Sequence, residues 1–229
     1  MAARQKPLIY EGRHRLSVAH LLVAIVVMFV VAPFADAILF GRLIESMVFT
    51  AMLLAAVNAV GGRRRTLIVA ALLMMPALLT RWIDHISPGL LPHWPSHIAT
   101  VVFVSFVIWQ LLRFVMSAPL VTAEVLCAAL SIYLLYAVAW AYLYMLLVMV
   151  RPDAFVWTAP RAAQSPLTGF TALYFSFEIL TALAFGDILP VSNVARMMTL
   201  VEVTSGIFYV AILIARLVGL YSSENYEAR

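Results

Sequence analysis

The sequence predicts an all-α membrane protein with six spanning helices and one re-entrant segment before the last of them. Three observations predict it. The 229 residues are 65% hydrophobic and only 11% charged, where a soluble domain carries about 25% charge. The mean hydropathy is +1.01. The apolar runs are long enough to cross a hydrocarbon core of roughly 30 Å, which takes about 20 helical residues. A soluble β-rich protein is set aside on the same grounds.

The first span runs over Leu16–Phe34. Arg13 and Arg15 before it, and Ala35-Asp36-Ala37 after it, imitate a secretory signal and its cleavage site. The run is long and the chain re-enters an apolar segment at once, so a retained helix is expected. A tight turn near Pro33 and Asp36 leads into Ala37–Val60. Gly61-Gly62-Arg63-Arg64-Arg65 separates that helix from Thr66–Trp82. The stretch "ISPGLLPHWPSH" (86–97) holds three prolines and a glycine and reads as a loop. Ile98–Met116, Val125–Val150 and Val194–Tyr221 complete the six.

One segment stands apart. After the fifth span comes "RPDAFVWTAPRAAQSPLTG" (151–169), polar and turn-rich. An apolar run from Phe170 to Ala182 follows, too short to span, and Gly186, Asp187 and Pro190 end it. A run of this length reads as a re-entrant helix. Irregular backbone at membrane depth is tolerated only where protein buries it or where it lines a watery path. A half-helix, a polar turn and a full helix therefore suggest a pore loop.

Charge supplies an orientation. Arg4, Lys6, Arg13 and Arg15 precede the first helix; Arg63, Arg64 and Arg65 fall two helices later, on the same side, and Arg113 near that side's next turn. Arg81, Arg151, Arg161 and Arg196 are scattered on the other. The positive-inside bias places both termini in the cytoplasm of a bacterial-type inner (plasma) membrane. It also explains the net charge of +4 better than a nucleic-acid partner does. Cys127 is alone, so no intrachain disulfide and no metal set is expected. No phosphate-binding glycine loop or hydrolase elbow occurs. Glu178, Glu202 and Asp187 alone do not make a nucleophile-and-base site, so no enzyme and no cofactor is expected. No inverted repeat of the transporter kind is visible. After Tyr221 only "SSENYEAR" remains, and no cytoplasmic sensing domain is expected.

The segment Val125–Tyr221 resembles the pore module of the potassium-channel superfamily. In that family a pore helix leads into Thr-Val-Gly-Tyr-Gly-Asp, a short turn with proline, and an inner helix. Here Thr181-Ala182-Leu183-Ala184-Phe185-Gly186-Asp187 is followed by Pro190. Tyr174-Phe175-Ser176-Phe177 is similar to the aromatic stretch of the pore helix, and Gly206 sits where the inner helix commonly has a hinge glycine. The resemblance implies four copies around a central axis, because one loop cannot make a filter. It divides the chain into a four-helix membrane domain at 1–121, similar to a voltage-sensor domain in number and position only, and a pore domain at 122–229. It implies passive conduction of monovalent cations, K+ or Na+, by a homotetramer in contact with membrane lipids.

The departures bear on selectivity. A potassium filter replaces the ion's hydration shell with backbone carbonyls. The first filter glycine, which would adopt a left-handed conformation, is Ala184, and a Cβ there costs about 1–2 kcal/mol. The filter threonine is Ala182, which removes a hydroxyl from each copy. The filter tyrosine is Phe185, which keeps the ring and loses the hydroxyl. Three outcomes stay open: a wider, weakly selective pore, a modified potassium path with fewer sites, or a closed filter in a non-conducting scaffold or sensor. Gly at 184 and Thr at 182 are expected to raise potassium selectivity in a channel.

Other residues attach to that frame. Glu178 falls in the pore helix nine positions before Asp187. It reads either as a protonatable brace on the filter, as in some bacterial potassium channels, or as a static hydrogen-bonded acid. Glu202 is an intramembrane acid four residues before Gly206 and is expected behind the filter. Tyr174 joins them as filter support. Phe208, Val210, Ile214 and Val218 are the candidate cavity lining below Gly206, with packing on neighbouring helices as the alternative. Arg42 and Glu45, three apart in the second helix, are expected to pair within the membrane. The fourth helix holds Arg113 alone, without the repeated arginines of a voltage sensor, so little intrinsic voltage sensing is expected. His93 and His97, with Asp84 and His85, are expected to be solvated loop residues. Trp82, Trp94 and Trp157 fit an interfacial aromatic belt.

Overall fold

In a computed structural model of the chain, residues 11–34, 40–60, 64–86, 92–158 and 167–227 are described. Among them are seven α-helices: α1 (Glu11–Val31), α2 (Gly41–Val60), α3 (Arg64–Ile86), α4 (Trp94–Ser117), α5 (Ala123–Val150), α6 (Gly169–Leu180) and α7 (Asn193–Glu227). Six carry apolar windows long enough to cross a membrane. The exception is α6, whose 12 residues rise about 18 Å, short of a hydrocarbon core. Six spans and one short helix agree with the sequence reading.

Local chemistry sets several boundaries. The Thr122 hydroxyl accepts the Val125 N–H at 3.4 Å and caps α5. Helix α4 starts at Trp94 with Pro95 in its first turn, where a missing N–H costs nothing. The stretch 86–97 is therefore not all loop. Ile86 still belongs to α3 and His97 is already helical; only the middle of the stretch separates them, and 87–91 lie outside the described residues. Ala32–Phe34 form a single 3-10 turn after α1; Asp36 and Gly61–Arg63 also lie outside the described residues.

Helix α5 is the hub, packed on α1, α4, α6 and α7. Its buried face is rich in small residues, among them Ala128, Ala129, Ala137 and Ala141, which let neighbouring backbones approach closely. Leu21 and Ile25 of α1, Met52 and Leu53 of α2, and Phe103, Val104 and Val107 of α4 form the core of the four-helix part. Half of the α5 spanning window is buried, against 6% of the α7 window. The last helix keeps its apolar side chains for surroundings other than its own chain.

A two-stranded antiparallel ribbon was not anticipated. Strand β1 (Phe155–Trp157) pairs with β2 (Ile188–Pro190) in the register Phe155↔Pro190, Val156↔Leu189 and Trp157↔Ile188. It ties the segment after α5 to the segment after the loop that follows α6. Pro190 ends β2, consistent with a strand edge that needs no further donor.

Candidate functional site

The site is built from α6, the loop 181–187, and the faces of α5 and α7 behind them. Helix α6 begins at Gly169, whose φ is 51°, a conformation glycine adopts without strain. It buries Ala172, Leu173, Phe175, Ser176, Glu178 and Leu180. Its end closes in a Schellman motif with Ala182 left-handed: the Thr181 N–H donates to the Phe177 carbonyl (3.0 Å), Ala182 N–H to Ile179 (3.0 Å) and Leu183 N–H to Glu178 (3.0 Å). The Thr181 hydroxyl folds back onto the Phe177 carbonyl at 2.6 Å.

The loop then takes an alternating path. Ala182 (φ 56°), Ala184 (φ 46°) and Gly186 (φ 78°) are left-handed, while Leu183 and Phe185 between them are not. Alternation of the two hands sends successive N–H groups to one side of the chain and successive carbonyls to the other. The strain expected at Ala184 is therefore present, and Ala182 shares it. Ala182 to Phe185 are exposed, Leu183 to 60% and Phe185 to 67%.

Groups from α6 and from the end of β1 hold this path. Glu178 Oε1 accepts the Gly186 N–H at 3.0 Å. Thr158, just after β1, donates its hydroxyl to the Gly186 carbonyl (2.8 Å) and its N–H to the Asp187 carbonyl (2.9 Å). The Tyr174 and Phe185 rings stack with centroids 6.4 Å apart and planes 6° from parallel. The Asp187 carboxyl acts on Glu178. One oxygen of each, Glu178 Oε2 and Asp187 Oδ1, is buried without a hydrogen-bond partner. Thr158 was missed by sequence reasoning. The local signal was Phe-Val-Trp, a β-prone run, facing Ile-Leu across the loop.

Behind α6 lies a second carboxyl. Glu202 of α7 is fully buried. Tyr144 of α5 donates to its Oε2 at 2.5 Å. Ser176 of α6 lies 2.6 Å from its Oε1 and 2.8 Å from the Ala137 carbonyl of α5. Further down, Gly206 lets α7 close on the foot of α6: a Cβ there would meet Leu180 Cδ1 at 2.4 Å and the Leu180 carbonyl at 3.2 Å. The Tyr133 hydroxyl donates to that same carbonyl at 3.3 Å. Phe208, Val210, Ile214 and Val218 are exposed along α7. Arg216 reaches back to the end of α4, donating to the carbonyls of Met116 (2.7 Å) and Ala118 (2.8 Å).

The predicted residues of the four-helix part fall elsewhere. Glu45 pairs with Arg81 of α3 at 3.0 Å; the side chain of Arg42 lies outside the described residues. Arg81 also donates from Nε to Ser46 Oγ at 3.0 Å and sits 4.8 Å from the Phe49 ring centroid. The pair lines a cavity of about 440 Å³ with His93, His97, Tyr142 and Phe170. His97 is thus not a solvated loop residue. Pro95 lets the helix start early, and the His97 ring packs edge-on against Tyr142 at 5.3 Å. The side chains of Asp84 and His85 lie outside the described residues. Among the described residues no cluster suited to a metal ion is found.

Residues 120–223 match a family model described as an ion channel. No curated protein and no solved structure matches the chain. The matched segment takes in α5, α6, the alternating loop and most of α7, and it is the part in which the sequence placed the pore. Residues 120–223 are thus an ion-channel module of the potassium-channel-like superfamily.

Proposed function

We propose that this channel conducts monovalent cations passively through a pore formed by four copies of the chain, with potassium selectivity weakened relative to a filter built on Thr-Val-Gly-Tyr-Gly. The observation that carries the reading is the alternation of hand at Ala182, Ala184 and Gly186 in an exposed loop. A loop of this kind offers a row of carbonyl oxygens, the ligands that replace a cation's water. The exposed apolar length of α7 supports assembly, because three more copies would cover part of it and leave the rest to a central cavity and to lipid. Weakened selectivity follows from Ala182, which offers no hydroxyl ligand, and from the strain stored at two alanines.

In this reading Asp187 and Glu178 share one proton behind the loop, since two close carboxylates do not both ionise cheaply. The apolar residues Phe208, Val210, Ile214 and Val218 line a cavity that closes by dewetting. The four-helix part contributes little voltage sensing, as α4 carries only Arg113. Both termini face the cytoplasm.

The test is the reversal potential of the purified protein in planar bilayers under opposed potassium and sodium gradients, with its tetrameric mass confirmed in the same preparation. A reversal between zero and the potassium equilibrium potential supports the proposal. Silence over several pH values in a confirmed tetramer overturns it in favour of a non-conducting scaffold.

A further inference from the structure

Three short oxygen–oxygen contacts meet at Glu202, and each needs one hydrogen. They are Tyr144 to Oε2 (2.5 Å), Ser176 to Oε1 (2.6 Å) and Ser176 to the Ala137 carbonyl (2.8 Å). Carbonyl oxygens supply none. The hydroxyls of Tyr144 and Ser176 supply one each. Tyr144 spends its hydrogen on Oε2. If Ser176 donates to Glu202, it faces the Ala137 carbonyl with a lone pair. If it donates to Ala137, it faces a carboxylate with one. The third hydrogen therefore has to sit on Glu202.

Burial points the same way. Glu202, Ser176 and Tyr144 are all fully buried. The groups that face the carboxyl are hydroxyls: Tyr144 and Tyr133 from α5 and Ser176 from α6. Strand β2, also packed on α7, is Ile-Leu-Pro and has nothing that ionises. Glu178, the acid of α6, turns to the Gly186 N–H. An ionised carboxylate in such a place, with no cation among the described residues against it, is heavily penalised.

We infer that Glu202 is held as the neutral acid and serves as a positioning residue for the filter. Its O–H donates to Ser176, Ser176 passes a hydrogen to the Ala137 carbonyl, and Tyr144 closes the chain on the other carboxyl oxygen. One proton thereby joins α5, α6 and α7 at a single point behind the pore helix. Loss of that proton leaves a buried anion and breaks the relay, so α6 loses its rear anchor and the loop 181–187 loses its footing. The effect on conduction rests on the channel reading above; the protonation state does not.

Glutamine is the discriminating substitution. Its NH2 can donate to Ser176 and its carbonyl can accept from Tyr144, so Glu202→Gln reproduces the pattern of the neutral acid and not that of the carboxylate. The experiment uses the full chain in lipid bilayers and reads three things. Infrared difference spectra of wild type against Glu202→Gln should show loss of a protonated-acid carbonyl band, and Tyr144→Phe should shift that band. Absence of any acid band overturns the neutral assignment, whether or not the protein conducts. Backbone hydrogen exchange over 181–187 should stay slow in Glu202→Gln. It should speed up roughly 5- to 150-fold in Ser176→Ala and Glu202→Leu, the range for one buried group left unpaired. Unchanged exchange in both disruptive variants, or fast exchange in Glu202→Gln, overturns the positioning role. Current should fall more steeply on alkalinisation in wild type than in Glu202→Gln, which keeps only the Glu178–Asp187 proton; equal loss in both overturns the coupling to conduction.

Discussion

Replacing Ala184 by glycine reads out the central geometric feature of the loop by the sign of its effect. Ala184 has φ 46° and Ala182 has φ 56°. A Cβ in the left-handed region costs about 1–2 kcal/mol. Ala184→Gly relieves that cost, while glycine's extra freedom in the unfolded chain takes back about 0.4–1 kcal/mol. The net expectation at mid-range is a stabilisation of about 0.8 kcal/mol per copy, or about 3 kcal/mol over the four copies of the proposed pore. In ordinary backbone with negative φ, the same substitution would destabilise by about 0.4–1 kcal/mol. The assay is thermal unfolding of the purified protein, followed by reversal potentials under opposed potassium and sodium gradients. Ala184→Gly and Ala182→Gly are each expected to raise the melting temperature, and Ala184→Gly to move reversal toward the potassium equilibrium potential. Lowered stability in both variants would refute the alternating path. The same geometry splits the double change suggested by the resemblance. Threonine at 182 is β-branched, and such residues are outliers at positive φ. Ala182→Thr is therefore expected to destabilise the loop, and any selectivity gain to come from Ala184→Gly.

Gly206→Ala places a Cβ 2.4 Å from Leu180 Cδ1 and should cost about 1–3 kcal/mol in unfolding measurements; measured in a Leu180→Ala background the same change should cost less, because the nearest obstacle is the end of that side chain. Arg216→Met removes the bonds to the Met116 and Ala118 carbonyls and should destabilise by about 1–3 kcal/mol, with faster hydrogen exchange at the end of α4 and not in α6. Thr158→Val keeps the shape and removes the hydroxyl from the Gly186 carbonyl; a loss of about 0.5–1.5 kcal/mol is expected, seen as faster exchange at 186–187 with α7 unaffected.

Length and hydropathy sufficed for the six spans, because a hydrocarbon core demands about 20 apolar helical residues whatever they pack against. The short helix before the last span was legible for the same reason: Phe170–Ala182 is apolar but too short to cross. What the sequence could not supply were relations between residues far apart in the chain. Glu45 meets Arg81 because α2 and α3 lie side by side, and no spacing rule along one helix reports that. Thr158 clasps the loop from 28 residues away, through a ribbon too short to stand out from the turns around it. Left-handed φ at Ala182 went unforeseen because alanine does not announce it as glycine does. Glu202 could be named as an intramembrane acid from its position. Its proton could be counted only once tertiary packing had brought Tyr144, Ser176 and the Ala137 carbonyl to it, since hydrogen-bond stoichiometry is a property of the assembled site and of no single segment.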